Sequence, residues 1–535
     1  MVMNLEPNNI CKRAVVFIYT LAIFVVYPIT VDDAYFNITL TKTNYFQKAS
    51  IIFAVCFVVA FVLDIIVHKY FELDERIYVE DNAGFYTKPV FWMELFALAN
   101  VVAWYMTDCS KSAMTGDTAR RMGLMMYLII AVVFIMIATY SFISKVAVIA
   151  LAVVAVYTYI IGIVQHLELD VAFWETGKKS IFEFMHYRDR LSSDQFDIYM
   201  STFGNINIFS SFIVISLCLF LGVFIFTGIN YMKLISGTVV VLGGASLMIA
   251  NSDSGYIGVV GALFVLMLIS YNQGKVRTFI ISLILLACGN LLVVLMNNFA
   301  VGEYDKRGGF AQALDRMDLA FILILALVMV LLVVHYLAVN HSDKLEKLNK
   351  KLVTKVIFVV TAVTGVITVI VGNLMGVGIF TFDDKWGTYR GFVWSRAWKI
   401  FCDAPLVNKL FGYGNESFGI YMKAYYYDDM VNIVGKIYDN AHNELLQYLL
   451  TLGIVGLVAY VGVFVASIVY MLRYGKNNYL VYAFLAASVG YFVQALININ
   501  QPITTPLYFV IMALGVGYTT YLRKKEVDYD QITSE

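Results

Sequence analysis

The chain has 535 residues, of which 60% are apolar and 14% charged, and its 38 basic and 38 acidic side chains cancel. That apolar share does not fit inside one soluble core, so the composition predicts an all-α polytopic membrane protein. The balanced charge leaves no global basic field, and nucleic acid is not an expected partner.

Apolar runs of about twenty residues read as spanning helices, since the hydrocarbon core is about 30 Å thick and a helix rises about 1.5 Å per residue. Such runs fall near 13–31, 49–67, 89–106, 122–140, 146–165, 207–227, 235–251, 256–271, 277–299, 318–339, 356–380, 443–470, 479–499 and 505–522. About 14 transmembrane helices put both termini on one side. The first run lacks a small-residue cleavage site and is expected to remain as the first helix. Basic residues in short loops (Lys12, Arg13, Lys275, Arg277, Arg473, Lys476 and the run from Lys344 to Lys355) place the termini in the cytoplasm, whereas Arg120 and Arg121 contradict the bias. The chain divides into N-terminal helices with a first long outer segment (1–200), a core containing an outer loop at 381–441 (201–470), and a final hairpin with a cytoplasmic tail (471–535).

Polar segments then share the outer face: 166–207, the turn ANSDSG at 250–255, 301–316, and the stretch from Thr388 to Gln447. Polar loops concentrated on one face are more often a working surface than a linker. The spans themselves are poor in charge; Glu94 is the clearest carboxylate within one. Gln494, Asn498 and Asn500 approach the outer face and either line the floor of a site or bind helices together. The six cysteines are scattered, no carboxylate-rich cluster is visible, and no metal or other cofactor is expected.

Within the polar stretch, Trp394, Ala397, Trp398 and Phe401 fall on one side of a helix and Arg396, Lys399 and Asp403 on the other. This predicts an amphipathic helix lying on the membrane. Arg390 projects onto the apolar side, so it needs an anionic partner: Asp383 or Asp384, or a substrate phosphate suited to the guanidinium fork. Gly412 and Gly414 flank Tyr413, a combination that permits positive φ and lets the backbone approach a ligand closely, although taken alone it is a generic turn. Tyr425, Tyr426 and Tyr427 suit either stacking on sugars or anchoring at the interface. In DNAHNELLQ the pattern predicts a helix start capped by Asp439 or Asn440, with His442 in the first turn. A neutral His442 there either satisfies a helix end or takes a proton from a hydroxyl, with Glu444 placed to orient it.

Three elements together resemble the O-antigen ligase and polymerase family, membrane enzymes that join lipid-linked glycans on the outer side of the cytoplasmic membrane. Gly204, Asn205 and Asn207 in STFGNINIFSSF are similar to that family's GNxN element. R-G-F-V-W from Arg390, followed by P-L and G-Y-G, resembles its large outer loop. N-A-H-N-E-L-L-Q followed by G-I-V-G resembles its histidine signature.

The resemblance implies a glycosyltransferase C-like helical core, here extended by a hairpin that includes 318–339. It further implies that Arg390 binds the pyrophosphate of a polyprenyl-linked donor and that His442 activates or positions the acceptor hydroxyl. Asn443, Glu444, Trp394, Tyr413, Asn205 and Asn207 are then expected to bind substrate. Family members carry Ser-Arg-Gly where this chain has Asp253-Ser254-Gly255, which leaves a second phosphate-binding arginine open. Arg188, Arg190, Arg307 and Arg316 are candidates because they share the outer face. The implied activity is metal-independent transfer of a polyprenyl-diphosphate-linked glycan to a glycan or lipid acceptor within the cytoplasmic membrane. Polymerisation of cell-surface repeat units is the first expectation and ligase-type transfer to a different acceptor the alternative. A lipid-linked glycan flippase, the rival, predicts polar groups through the bilayer depth and internal repeats.

Overall fold

Every predicted apolar run overlaps a helix in the computed structural model, which describes residues 9–32, 37–70, 88–108, 110–116, 120–141, 143–167, 201–299, 309–341, 349–376, 380–475 and 477–534. Eleven helices among the described residues are long and apolar enough to cross a membrane, and three shorter apolar helices accompany them. In chain order these are α1 (Ile10–Ile29), α2 (Ile38–Tyr70), α3 (Pro89–Tyr105), α4 (Leu124–Tyr140), α5 (Lys145–His166), α6 (Ile206–Phe226), α7 (Asn230–Ala250), α8 (Asp253–Asn272), α9 (Val276–Phe299), α10 (Met317–Asn340) and α11 (Lys350–Leu374). After two helices of the polar stretch, α12 (Trp386–Asp403) and α13 (Phe418–Asp429), come α14 (Glu444–Tyr474), α15 (Tyr479–Ala495) and α16 (Thr505–Ser534).

The centre of the bundle is α6, which is apolar all round and wholly buried, as such a helix must be. Because lipid tails are as apolar as leucine, close contact rather than water exclusion holds such helices together. Gly222 of α6 accordingly sits where a Cβ would lie 2.6 Å from the Cα of Ala483 in α15, and a Cβ on Gly258 of α8 would lie 2.7 Å from the Gly490 carbonyl oxygen. One apolar core runs from Val16 to Val516. By contrast, α10 and α11 are peripheral: only 6% of each span is buried, leaving their apolar side chains facing outward.

Several boundaries shift from the expectation, and two departures bear on the packing. Helix α2 starts at Ile38 rather than near 49, since its polar first turns are satisfied internally: Lys42, fully buried, donates to the carbonyls of Tyr27 (2.6 Å) and Pro28 (2.7 Å). The span expected at 443–470 is two helices, broken at Gly453 (φ 70°, ψ −172°). That break orphans carbonyls in the first piece, and the chain before it answers them: Tyr413 N–H donates to Leu450 O (3.1 Å) and Gly414 N–H to Thr451 O (2.8 Å).

The polar segments meet at one end of the bundle. Thr202 Oγ1 donates to Pro28 O, Tyr27 OH to Pro502 O, Thr107 Oγ1 to Tyr413 O, and the Phe310 N–H to Asp253 Oδ1. Residues 380–443 fold there around a small core of their own, including Phe392, Val393, Ala397, Phe418, Met422 and Tyr438, seated on Leu446 and Leu450 of α14.

Candidate functional site

The site is built by the junction between this small helical cap and α14. Thr388 and Tyr389 lie in the left-handed region, so the regular part of α12 begins at Arg390. Gly391 is required next: a Cβ there would fall on the Asp383 carbonyl oxygen. The buried side of α12 runs through Val393, Ala397 and Ile400, while Trp398 is 55% exposed, so the expected apolar side splits between cap core and surroundings.

Neither carboxylate expected to pair with Arg390 does so: Asp383 Oδ1 accepts from the Lys385 N–H at 2.9 Å, and Asp384 is taken by another arginine. Arg396 holds Asp384 with two bonds, NH1 to Oδ1 at 2.6 Å and NH2 to Oδ2 at 2.9 Å. Arg390 donates from NH1 to the Gly387 carbonyl at 3.1 Å, its Nε is buried without a partner, and among the described residues it makes no ion pair. Burial pulls its proton affinity below the ordinary arginine range, and the nearby Tyr438 and Asp253 oppose that shift. Asp253, in the turn at 250–255, therefore adds negative charge near Arg390.

The turn before α14 differs from the predicted cap. Asn443 is the cap, its Oδ1 accepting from the Leu446 N–H at 3.0 Å, and the helix starts at Glu444. Asp439 is unavailable because Arg120 grips it with NH2 to Oδ1 at 2.6 Å and Nε to Oδ2 at 3.3 Å. Burial opposes ionisation of Asp439, yet the bond and charge of Arg120 outweigh it and hold the carboxyl below its usual range. Asn440 instead accepts from the His442 N–H at 2.9 Å. His442 thus lies outside the helix, with φ 50°.

Around the His442 imidazole the charges are mostly positive. Burial, then Arg390, Arg120 and Lys436, push its pKa down to about 3 against an opposing pull from Asp439. It is neutral, and the Tyr438 ring meets it edge-on at 5.7 Å. Among the described residues neither ring nitrogen is hydrogen-bonded. Arg120, which violated the topology bias, thus belongs to the site end of the bundle and is paired there; a basic residue that breaks the charge rule was the available sequence signal.

The other expected residues are distributed as follows. Glu444 does not orient the imidazole: it is buried in the bundle, accepting from Tyr460 OH (2.7 Å) and Tyr491 OH (3.2 Å). Trp394 donates from Nε1 to Ala441 O at 2.9 Å, beside His442. Tyr413 packs on Tyr421, with ring centroids 4.0 Å apart, and Gly412 and Gly414 approach α14 and Thr107 of the protein itself rather than open space. Asn205 caps α6, accepting from the Asn207 N–H at 2.8 Å, and Asn207 Oδ1 accepts from Ser252 Oγ at 2.7 Å. Gln494, Asn498 and Asn500 are interhelical links, donating to Ser210 (2.8 Å), Ser211 (3.0 Å) and Tyr127 (2.6 Å). Arg316 pairs at the surface with Asp318. Arg188, Arg190 and Arg307 lie outside the described residues.

Next to the histidine turn, an open groove of about 520 Å³ is lined by Phe382, Trp394, Trp398, Asn443, Leu446 and Leu449, among others. It is apolar apart from Asn443 and Ser395. Among the described residues, no three His, Cys, Asp or Glu side chains gather where they would hold a metal ion.

Residues 309–461 match the family model described as O-Antigen ligase. The matched segment contains α10, α11, Arg390, His442 and the break at Gly453, so the peripheral pair lies within it; the GNxN-like element and Arg120 lie before it. No curated protein matches the chain. The chain is a multi-pass membrane protein that carries, over residues 309–461, the domain of the O-antigen ligase family.

Proposed function

We propose that the protein is a membrane glycosyltransferase that moves a glycan from a polyprenyl diphosphate to a hydroxyl of an acceptor glycan, extending cell-surface polysaccharide at the outer face of the cytoplasmic membrane. The observation that carries the reading is Arg390: a half-buried guanidinium whose Nε is buried without a partner and which has no carboxylate partner among the described residues, placed close enough to His442 to perturb it electrostatically, inside the matched segment. A cation of this kind invites an anion with several oxygens, and diphosphate is one. The apolar groove beside Asn443 suits the prenyl tail, and the exposed Tyr425 and Tyr427 suit contact with sugars.

In the reaction the acceptor oxygen attacks the anomeric carbon, the bond from that carbon to the diphosphate oxygen breaks, and the electron pair leaves with the diphosphate. Arg390 neutralises the charge that develops there. His442 takes the acceptor proton at a ring nitrogen. In the free protein its neighbours make it a weak base, but a bound diphosphate cancels their positive charge and raises its basicity when the donor is in place. No metal takes part in this scheme, and activity is expected to survive a chelator.

The test is the glycan profile of cells carrying Arg390→Ala or His442→Ala. Loss of long chains with lipid-linked single units still reaching the outer face supports the reading. Units trapped inside would overturn it in favour of a flippase, and intact polymer that is no longer attached to its final acceptor would make the enzyme a ligase.

A further inference from the structure

We infer that Gln447, Asn440 and Trp394 form a clamp that sets the backbone pose of His442, an inference that rests on the role proposed for that histidine. Three side chains, one on α12, one in the turn and one on α14, converge on two residues. Gln447 Oε1 accepts from the Ala441 N–H (3.0 Å), Trp394 Nε1 donates to the Ala441 carbonyl (2.9 Å), and Asn440 Oδ1 accepts from the His442 N–H (2.9 Å). Each backbone polar group from the Ala441 N–H to the His442 N–H is thus held by a side chain.

The pose they hold is not one the chain adopts freely. His442 has φ 50°, and a non-glycine residue in the left-handed region persists only where its surroundings over-determine it. The clamp is also rigidly rooted. Ala441 is fully buried, and Asn440 and Gln447 are 3% and 5% exposed, so water does not replace a lost partner cheaply. Asn440 Nδ2 donates to Asn500 Oδ1 (3.4 Å), and Asn500 in turn donates to Tyr127 OH of α4 (2.6 Å), tying the turn to the bundle. Among the described residues the imidazole makes no hydrogen bond that would aim it, so the backbone that sets its Cβ is what positions it. These three are positioning residues: they act through His442.

The experiment uses full-length protein in liposomes, with lipid-linked repeat units extracted from cells lacking the protein as substrate. Gln447→Leu removes the acceptor and Trp394→Phe removes the donor while keeping an aromatic ring. Each is expected to lower kcat about 10-fold or more, since misplacement of a reacting group by about 1 Å costs up to about 100-fold, and for Gln447→Leu, which does not line the groove, the donor KM is expected to stay unchanged. Gln447→Glu, which still offers an oxygen, is expected to restore most of the loss seen in Gln447→Leu. In a His442→Ala background, Gln447→Leu is expected to cause no further loss. A wild-type kcat for both Gln447→Leu and Trp394→Phe, with His442→Ala inactive, overturns the clamp alone. A further loss in the His442→Ala background shows a merely structural role and also overturns it. Full activity of His442→Ala overturns the role of the histidine itself.

Discussion

Replacing Gly453 with alanine tests whether the break in α14 holds the site together. At φ 70° and ψ −172° the residue sits in a region essentially reserved for glycine, where an L side chain costs about 1–3 kcal/mol. A Cβ there also runs into the backbone of Leu410 and Phe411, which has no flexible side chain to move aside. If residues 410–414 retreat, the bonds from Tyr413 and Gly414 to the Leu450 and Thr451 carbonyls go with them, at about 0.5–1.5 kcal/mol each. The sum is about 2–6 kcal/mol. Gly435 provides the comparison: its φ is 71° but, among the described residues beyond its chain neighbours, no atom lies within 4 Å of an added Cβ, so Gly435→Ala meets the left-handed penalty of about 1–2 kcal/mol. Thermal unfolding of the purified protein in detergent should rank the wild type above Gly435→Ala and Gly435→Ala above Gly453→Ala. A Gly453→Ala protein that unfolds at or above the temperature of Gly435→Ala would refute the reasoning.

The free-enzyme pKa of His442, about 3, predicts that kcat/KM shows no histidine limb near pH 6.5, whereas kcat shows a limb at higher pH than kcat/KM because bound diphosphate raises the basicity; pH–rate profiles check both. Since the folded pKa of His442 lies below the unfolded one, protonation favours the unfolded chain, so this group's share of stability is complete above about pH 6.5 and falls as the pH drops towards 3; unfolding midpoints of wild type and His442→Ala across that window measure it. Asp439 is likewise depressed by Arg120, so its contribution is present above the unfolded carboxyl pKa and is lost as pH falls through the folded one. A double-mutant cycle with Arg120→Ala and Asp439→Asn should give a coupling of about 1 kcal/mol, and additive effects would deny the pair a role. Trp398→Asp places a charge in the apolar groove and is expected to raise the KM for the lipid-linked donor several-fold while sparing kcat, as steady-state kinetics would show.

Much of the architecture was legible because burial in lipid is a local demand. Each run of about twenty apolar residues must satisfy its backbone internally, so hydropathy alone located the long apolar helices found among the described residues. The candidate site was legible in part for a different reason: an arginine on an apolar helix side and a histidine at a helix start are local anomalies, and Arg390 and His442 stand out without any fold in hand.

Partnership is a non-local property, and there the sequence was silent. Arg120 and Asp439 are 319 residues apart in the chain, and nothing in either neighbourhood announces the pair. With Asp439 taken, the cap passes to Asn443 and His442 moves out of the helix. With Asp384 taken by Arg396, Arg390 is left with a backbone carbonyl. Glu444, adjacent to the histidine signature, turns into the tyrosines of the bundle because Tyr460 and Tyr491 offer it hydroxyls there. Composition and hydropathy by themselves determined a helical membrane protein with a polar working end. Only the tertiary structure decided which of its charges pair with each other and which, like Arg390, are left without a charged partner among the described residues, because that choice depends on which side chains the packing of distant helices brings within reach.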